Sequence, residues 1–501
     1  MPAKRIVASV TMVCMLVCMF GCYSKRLIYR AELEDHREYK ISAVVTQEGD
    51  YFEFEPSAVF TDSMIVGKLA GGGFKEVPLD QVKMVHIKVV DPATSCLAAI
   101  GVTTAAIGLG LLIILATKEC CPFVYSYDGE QYIFDGEPYG GAICEAFHRT
   151  DLSRLEHLIP IDGEYRIQLV NEVEETQHTD EFKLWIVDHP PEVNVIQDAK
   201  NNLYSVGTLQ KPLYAISGNE EDEYVWVSES DMLWWESDIR HKTPDNDADL
   251  RDTLYLSFLR PPDSDIAKLV VHGCNTLWAS QMLMRMVALF GSYVEQFYEK
   301  MDDPGLLTQR DDWEKWTEIY ALNVDVWVNE SWDHRGKIIG GGPFMAEQRI
   351  VPLSLEGVVG DTLKIRLAPP SGFWQFNSFA VDYAEPVAFE MKEISAMSMV
   401  GHDGDDLCAV LESSDRNYYV MPEVGQRAYL TFPVPELKPG RGRTIFAKVS
   451  GYYEMHLNAR GMPQMAKIKR ILTESDYVVR FALEEYQKWL DEQVTMRNEV
   501  R

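Results

Sequence analysis

Of the histidines near carboxylates in this chain, two are candidates for acid–base work: His189 directly follows Asp188, and His178 precedes Asp180 by two residues. An imidazole that titrates near neutral pH, oriented by a carboxylate, can serve as an acid–base pair. His189 precedes Pro190-Pro191 at the end of an apolar run, where a plain turn residue is the expected role. His402-Asp403-Gly404-Asp405-Asp406 places three carboxylates, Asp403, Asp405 and Asp406, in one short stretch. Carboxylate oxygens are the hard ligands that calcium prefers, but the spacing and terminal glutamate of an EF-hand loop are missing. A solvated turn is expected there, with calcium as the alternative. The other residues able to do chemistry are aromatic: Trp234-Trp235, Trp313, Trp316, Trp332 and Phe373-Trp374. Such rings pack in a core or stack on sugar faces. Trp374, close to Gly372, is the expected exposed ring, and Trp332 is the second candidate for ligand stacking.

Beyond these the chain offers no local catalytic signature. No G-x-S-x-G, H-E-x-x-H, G-x-x-x-x-G-K or G-x-G-x-x-G occurs. Gly71-Gly72-Gly73-Phe74-Lys75 has neither the spacing nor the following helix of a phosphate cradle. No catalytic residue, cofactor or metal is assigned. The balance of 47 Lys and Arg against 77 Asp and Glu gives a net charge of −30. Such a surface repels phosphate backbones and argues against nucleic acid as a partner. Nine cysteines are present, without the spacing of a zinc site or a disulfide framework.

The elements that must position these residues are mainly β. With 46% hydrophobic and 11% aromatic residues, the 501-residue chain is long enough for several globular domains. Tyr39–Val45, Tyr51–Phe54, Met64–Leu69 and Met84–Val89 read as short strands separated by turns. After residue 118, Asp128-Gly129 marks a tight hairpin. Alternating runs continue through Phe182–Val187, Thr253–Leu259, Ala321–Asn329, Thr362–Leu367 and Thr444–Val449. Asn219–Glu223 and Asp245–Asp249 are acidic loops, the second a candidate boundary. A packed helix is expected over 277–300, capped by Thr276 or Ser280, and another from about Glu474 to Gln493.

Two segments point to a membrane. Lys4-Arg5, the apolar run Ile6–Phe20, and a small residue before Cys22 have the layout of a secretory signal peptide. The ending Met19-Phe20-Gly21-Cys22 resembles the lipobox of bacterial lipoproteins, which implies acylation at Cys22. Cys96–Thr117 is 22 residues without a charge, long enough as a helix to span about 33 Å. Its glycines and alanines leave faces suited to self-association or to other envelope proteins. A spanning helix returns residues 118–501 to the other side of the membrane; a hairpin or packed helix does not, and both topologies fit the sequence.

Further resemblances concern folds. Residues 37–92 resemble a small SH3-like or Sm-like barrel of bacterial envelope proteins. The block from Cys121 to Ile143, with Asp128-Gly129 and Asp135-Gly136, resembles one in uncharacterised bacterial envelope and secreted proteins. The expected organisation is a signal peptide (1–21), a polar tether (22–36), a small β barrel (37–92) and a membrane helix (96–117). A β-rich domain (120–245), a sandwich-like domain (250–460) and a C-terminal helical segment (461–501) follow. The expected function is structural or interaction work by a membrane-anchored envelope lipoprotein. A carbohydrate-binding sandwich is the alternative, and an enzyme with a non-local site is the third.

Overall fold

The computed structural model describes residues 23–30, 40–47, 50–61, 63–90, 122–237, 239–295, 322–338, 345–457, 459–474 and 476–499. Cys22, the signal segment, Cys96–Thr117, Trp313 and Trp316 lie outside the described residues. Among the described residues no helix is long and apolar enough to cross a membrane.

Near the N-terminus, β1 (Tyr23–Tyr29), β2 (Lys40–Thr46), β3 (Tyr51–Phe60), β4 (Met64–Lys68), β5 (Phe74–Pro78) and β6 (Val82–Val90) form one antiparallel sheet. Its order is β1-β6-β2-β3-β4-β5, a half-barrel. Ile41, Val44, Phe54, Ile65, Val77 and Val85 alternate inward to make its core. Residues 23–29, expected as tether, are instead an edge strand on β6. Lys25 and Arg26 gave that stretch a linker-like composition, yet charged residues are common on sheet edges.

The larger region opens with β7 (Phe123–Tyr127), β8 (Tyr132–Gly136), β9 (Arg149–Arg154), β10 (Glu164–Val170) and the 15-residue β11 (Glu175–His189). A hairpin of β12 (Asn194–Gln197) and β13 (Leu203–Val206) comes next. Then come β14 (Tyr214–Ser217), helix α1 (Tyr224–Val227), β15 (Trp235–Glu236), β16 (Leu254–Leu259), β17 (Ile266–Asn275) and helix α2 (Leu277–Ala288). After these run β18 (Leu322–Val328), β19 (Ser331–Ile338), β20 (Glu347–Ser354), β21 (Thr362–Leu367) and β22 (Trp374–Asp382). The region closes with β23 (Glu390–Ile394), β24 (Ser398–Val400), β25 (Tyr419–Met421), β26 (Arg427–Pro433) and β27 (Gly442–Met455), followed by helices α3 (Met465–Thr473) and α4 (Tyr477–Glu499).

These strands make two sandwiches, one inserted into the other. The first pairs a sheet ordered β24-β26-β10-β7-β8 with one ordered β23-β11-β27-β9. Ile167, Leu169, Leu430 and Phe432 of one sheet meet Phe182, Leu184, Ile445 and Val449 of the other, all buried. The second sandwich sets β14-β16-β21-β18-β19 against β15-β22-β17-β20. The sheets therefore do not divide near residue 245, as the acidic loop there suggested. The first unit is built from both flanks of the second, because β11 pairs along its whole length with β27.

Burial and polar pairing reinforce that closure. Asp188 and Arg443 sit opposite each other in the β11–β27 register, with guanidinium-to-carboxylate distances of 2.6 and 2.9 Å. Between the units, Val195 packs on Leu152, Val187 and Phe446, while Ile196 and Val206 pack on Val270 and Ile350. The β12–β13 hairpin is thus shared by a sheet of each sandwich. Nearby, the Lys268 ammonium meets the buried Asp382 carboxylate at 2.6 Å. The expected helix at 277 begins at Leu277, and Thr276 caps it by accepting from the Ala279 amide at 3.2 Å.

Candidate functional site

The acidic loops come together in space. The end of β14, the loop into α1, β15 and the segment before β16 enclose a cleft of about 850 Å³. Asn219, Glu221 and Glu223 line it from the first loop, Asn246 and Asp249 from the second, and Trp226, Trp234 and Trp235 supply rings.

Local chemistry explains each placement. The Asp222 side chain accepts the Tyr224 amide at 3.0 Å and starts α1. Val227 is fully buried, which anchors this one-turn helix and leaves Trp226 41% exposed at its edge. Neighbouring residues of an extended chain face opposite ways. Trp235 accordingly turns inward, stacked on its cross-strand partner Phe376 with centroids 5.6 Å apart. Trp234 remains half-buried at the cleft, 5.7 Å from the His272 ring. Asn377, buried at a bulge in the β17–β22 pairing, donates its amide to the carbonyls of Asp231 and Leu233 at 2.7 and 2.9 Å. The same amide oxygen receives His272 Nδ1 at 3.1 Å. A single bulged residue thereby fixes the loop that carries Trp234, a common use of bulges beside functional sites.

The polar wall is graded. Asp252 accepts from Lys242 Nζ at 2.8 Å and from the Ser237 hydroxyl. Asp249 takes the Thr243 amide at 2.9 Å, and hydrogen bonds from Thr243 hold its carboxyl below the usual range. The Arg251 guanidinium reaches Asp476 at 2.7 and 2.9 Å. Arg480 of α4 reaches Asp247 at 2.6 Å and also donates to the Pro244 carbonyl. The C-terminal helix so braces one rim. Glu223 differs from the rest: burial, and then the negative charges of Glu221, Asp222 and Asp252, push its carboxyl up, against an opposing hydrogen bond with Trp235. This arrangement can stack one or two rings and accept hydrogen bonds from hydroxyl or amino groups.

The residues singled out from sequence fall elsewhere. Trp374 is 2% exposed, stacked on Phe376 at 5.5 Å, and cannot offer a ring to a ligand. The Asn377 bulge shifts strand parity, so Trp374 and Phe376 face the core on one side of it and Phe379 and Val381 on the other. Trp332 lies on the outer face of the β18–β19 pair, flanked by Trp327 at 5.1 Å, Tyr255 at 5.7 Å and the Arg366 guanidinium at 5.0 Å. Asp403, Asp405 and Asp406 do not converge; Asp406 accepts the Cys408 amide at 3.0 Å, and Gly404 turns the chain at φ 84°. Among the described residues no group of three or more His, Cys, Asp or Glu side chains is placed to hold a metal. Asp403 instead borders a cavity of about 290 Å³ shared with Tyr51 of the half-barrel and Tyr418 and Tyr419. Cys274 and Cys408 are free thiols, the first of them buried, and Cys144 is buried as well.

The expected acid–base pairs are not formed. Asp188 belongs to Arg443. His189 donates Nδ1–H to the Pro190 carbonyl at 2.9 Å and accepts from the Thr444 hydroxyl at 2.9 Å, so both ring nitrogens are engaged. Asp180, at the β11 bulge, takes the Ser414 hydroxyl at 2.6 Å and the Arg416 amide at 2.7 Å, and lies 2.9 Å from His148 Nε2 rather than from His178. A second pair unseen in the sequence is Asp135 with His157 Nδ1 at 2.8 Å. Among the described residues neither His148 nor His157 hydrogen-bonds a hydroxyl or thiol, so no nucleophile there completes either pair. His178 stacks on Tyr452 at 4.3 Å, with Nε2 buried and unpartnered.

No family model and no curated protein matches the chain. Among solved structures, one match is a chain of Sulfolobus Turreted Icosahedral Virus, 8% identical, covering 68% of this chain and 99% of that one, with a TM-score of 0.14. That likeness is too slight to assign a fold or a role.

Burial holds His178 down to about 3, and burial, opposed by Glu174, holds His456 down to about 4. Unfolded histidines bind protons near about 6.5, so stability falls as pH drops below that value. Each ring contributes a loss of about 1.4 kcal/mol per pH unit until its folded-state value is reached. Urea unfolding between about pH 6 and 4 should show this slope, and His178→Phe, which keeps a ring on Tyr452, should remove about one proton's share. An unchanged slope in the variant contradicts the assignment.

Proposed function

We propose that this protein is a membrane-tethered bacterial envelope protein whose work is binding rather than catalysis, with the cleft of the second sandwich as a carbohydrate site. The observation that carries the reading is that partly exposed Trp226 and Trp234 line one cleft together with the acceptors Asn219, Glu221, Glu223 and Asn246. A sugar presents an apolar C–H face and an equatorial rim of hydroxyls. A tryptophan face covers the first while carboxylates and amides accept from the second. A cleft of about 850 Å³ accommodates a short oligosaccharide. The lipobox-like ending at Cys22 supports the tether, and residues 96–117 supply a second membrane segment.

A protein partner is the second reading. Leu213, Tyr224, Val225, Met232 and Leu233 are all exposed apolar residues close in sequence to the cleft rim, with Met232 at 90%. Such a cluster is the feature that distinguishes a docking surface from scattered surface residues.

Cells grown with labelled fatty acid should label the native chain and not Cys22→Ser; equal labelling rules out acylation there. For the cleft, Trp226→Ala should weaken saccharide binding about tenfold, the loss of one stacking ring, with no change in unfolding midpoint. An oligosaccharide array with no ligand for the native chain contradicts the carbohydrate reading.

A further inference from the structure

The charges around the cleft narrow its ligand. Both fixed cations of the lining are taken: Lys242 by Asp252 at 2.8 Å, and Arg251 by Asp476. Asp249 is satisfied by Thr243, and Asp252 by Lys242 and Ser237. Glu221, Glu223 and Glu236 remain on the lining without an ion pair to any described Lys or Arg. Glu221 and Glu236 are exposed and Glu223 is half-buried. A half-buried carboxylate among like charges has an unmet demand for a cation. The ligand is the natural source, since the protein's own cations nearby are committed.

Resting on the carbohydrate reading above, we infer that the cleft selects an amino sugar with a free, protonated amine. Glu223 and Glu221 receive the ammonium, and the sugar face lies on Trp226. An N-acetylated sugar keeps the stacking surface and hydroxyls but loses the charge. A uronic acid or sulfated sugar brings an anion toward three uncompensated carboxylates and is rejected by like-charge repulsion. Glu223 is therefore the specificity-determining residue, because its partial burial gives it a lower local dielectric than its exposed neighbours.

Calorimetry on the full chain in detergent, in mildly acidic buffer, tests this with three probes of equal length. They are a β-linked glucosamine oligomer, its N-acetylated form and an oligogalacturonate. The glucosamine oligomer should bind at least about tenfold more tightly than the acetylated one, as for a partly desolvated charge-assisted hydrogen bond. Raised salt should shrink that gap, and the oligogalacturonate should not bind. Glu223→Gln should bring the two glucosamine-based ligands within about twofold of each other; Glu221→Gln should narrow the gap less, because Glu221 is more exposed. Equal binding of free and acetylated oligomers by the native chain overturns the amine preference while leaving a saccharide site intact. Failure of all three probes overturns the amino-sugar inference, and an oligosaccharide array that also gives no ligand overturns the saccharide reading itself.

Discussion

The architecture depends on one backbone interaction, the antiparallel pairing of β11 with β27 from Glu175–Met455 to His189–Gly442. It joins strands more than 250 residues apart and so closes the first sandwich around everything between them. A ladder of this length satisfies its own backbone groups, and only a single irregularity, at Asp180, interrupts it. That bulge needs a residue without a side chain opposite it: a Cβ on Gly451 would lie 2.3 Å from the His178 carbonyl. At the far end the Asp188–Arg443 pair, nearly buried on both sides, ties the strands by charge; removing one partner would strand the other in a dry site. The inserted sandwich inherits its fixed position from this closure, from the shared β12–β13 hairpin and from the Arg251, Arg285 and Arg480 contacts to the C-terminal segment.

The cleft follows from that construction. Loops at one end of the inserted sandwich have no sheet to continue into, so they are free to carry polar and aromatic groups on a rigid base. Rigidity comes from the Trp374–Phe376–Trp235 stack beneath and from Asn377 holding residues 231–233. The result is a half-buried acidic and aromatic surface whose shape is set by core packing and whose charge is set by Glu221, Glu223 and Glu236.

Much of this was legible in the sequence where the determining interactions are local. Asp128-Gly129 turns the β7–β8 hairpin, with the Asp128 carboxylate accepting the amides of Glu130 and Gln131. Thr276 caps α2, and β2, β3, β4 and β6 of the half-barrel fall on the expected strand-like runs, whereas β1 and β5 do not. Non-local facts were not legible. Nothing in 175–189 or 442–455 names the other as its partner, so the domain boundary was placed at an acidic loop that is really a cleft wall. Trp374 looked exposed because Gly372 precedes it, whereas a bulge three residues later decides which way it faces. Trp234-Trp235 was visible as a pair of rings. That one of them meets Glu223 depends on where β15 docks against β22. The His148–Asp180 and His157–Asp135 pairs lie 32 and 22 residues apart and had no spacing to betray them.

The account's central claim is that ligand recognition resides in the loop end of the inserted sandwich. Hydrogen exchange of the full chain with and without the glucosamine oligomer tests it most directly. Amides of 215–226 and 231–252 should slow on binding, while those of β18 and β19 around Trp332 remain unchanged. Protection that appears instead over Trp327–His334, with none at 215–252, would contradict it.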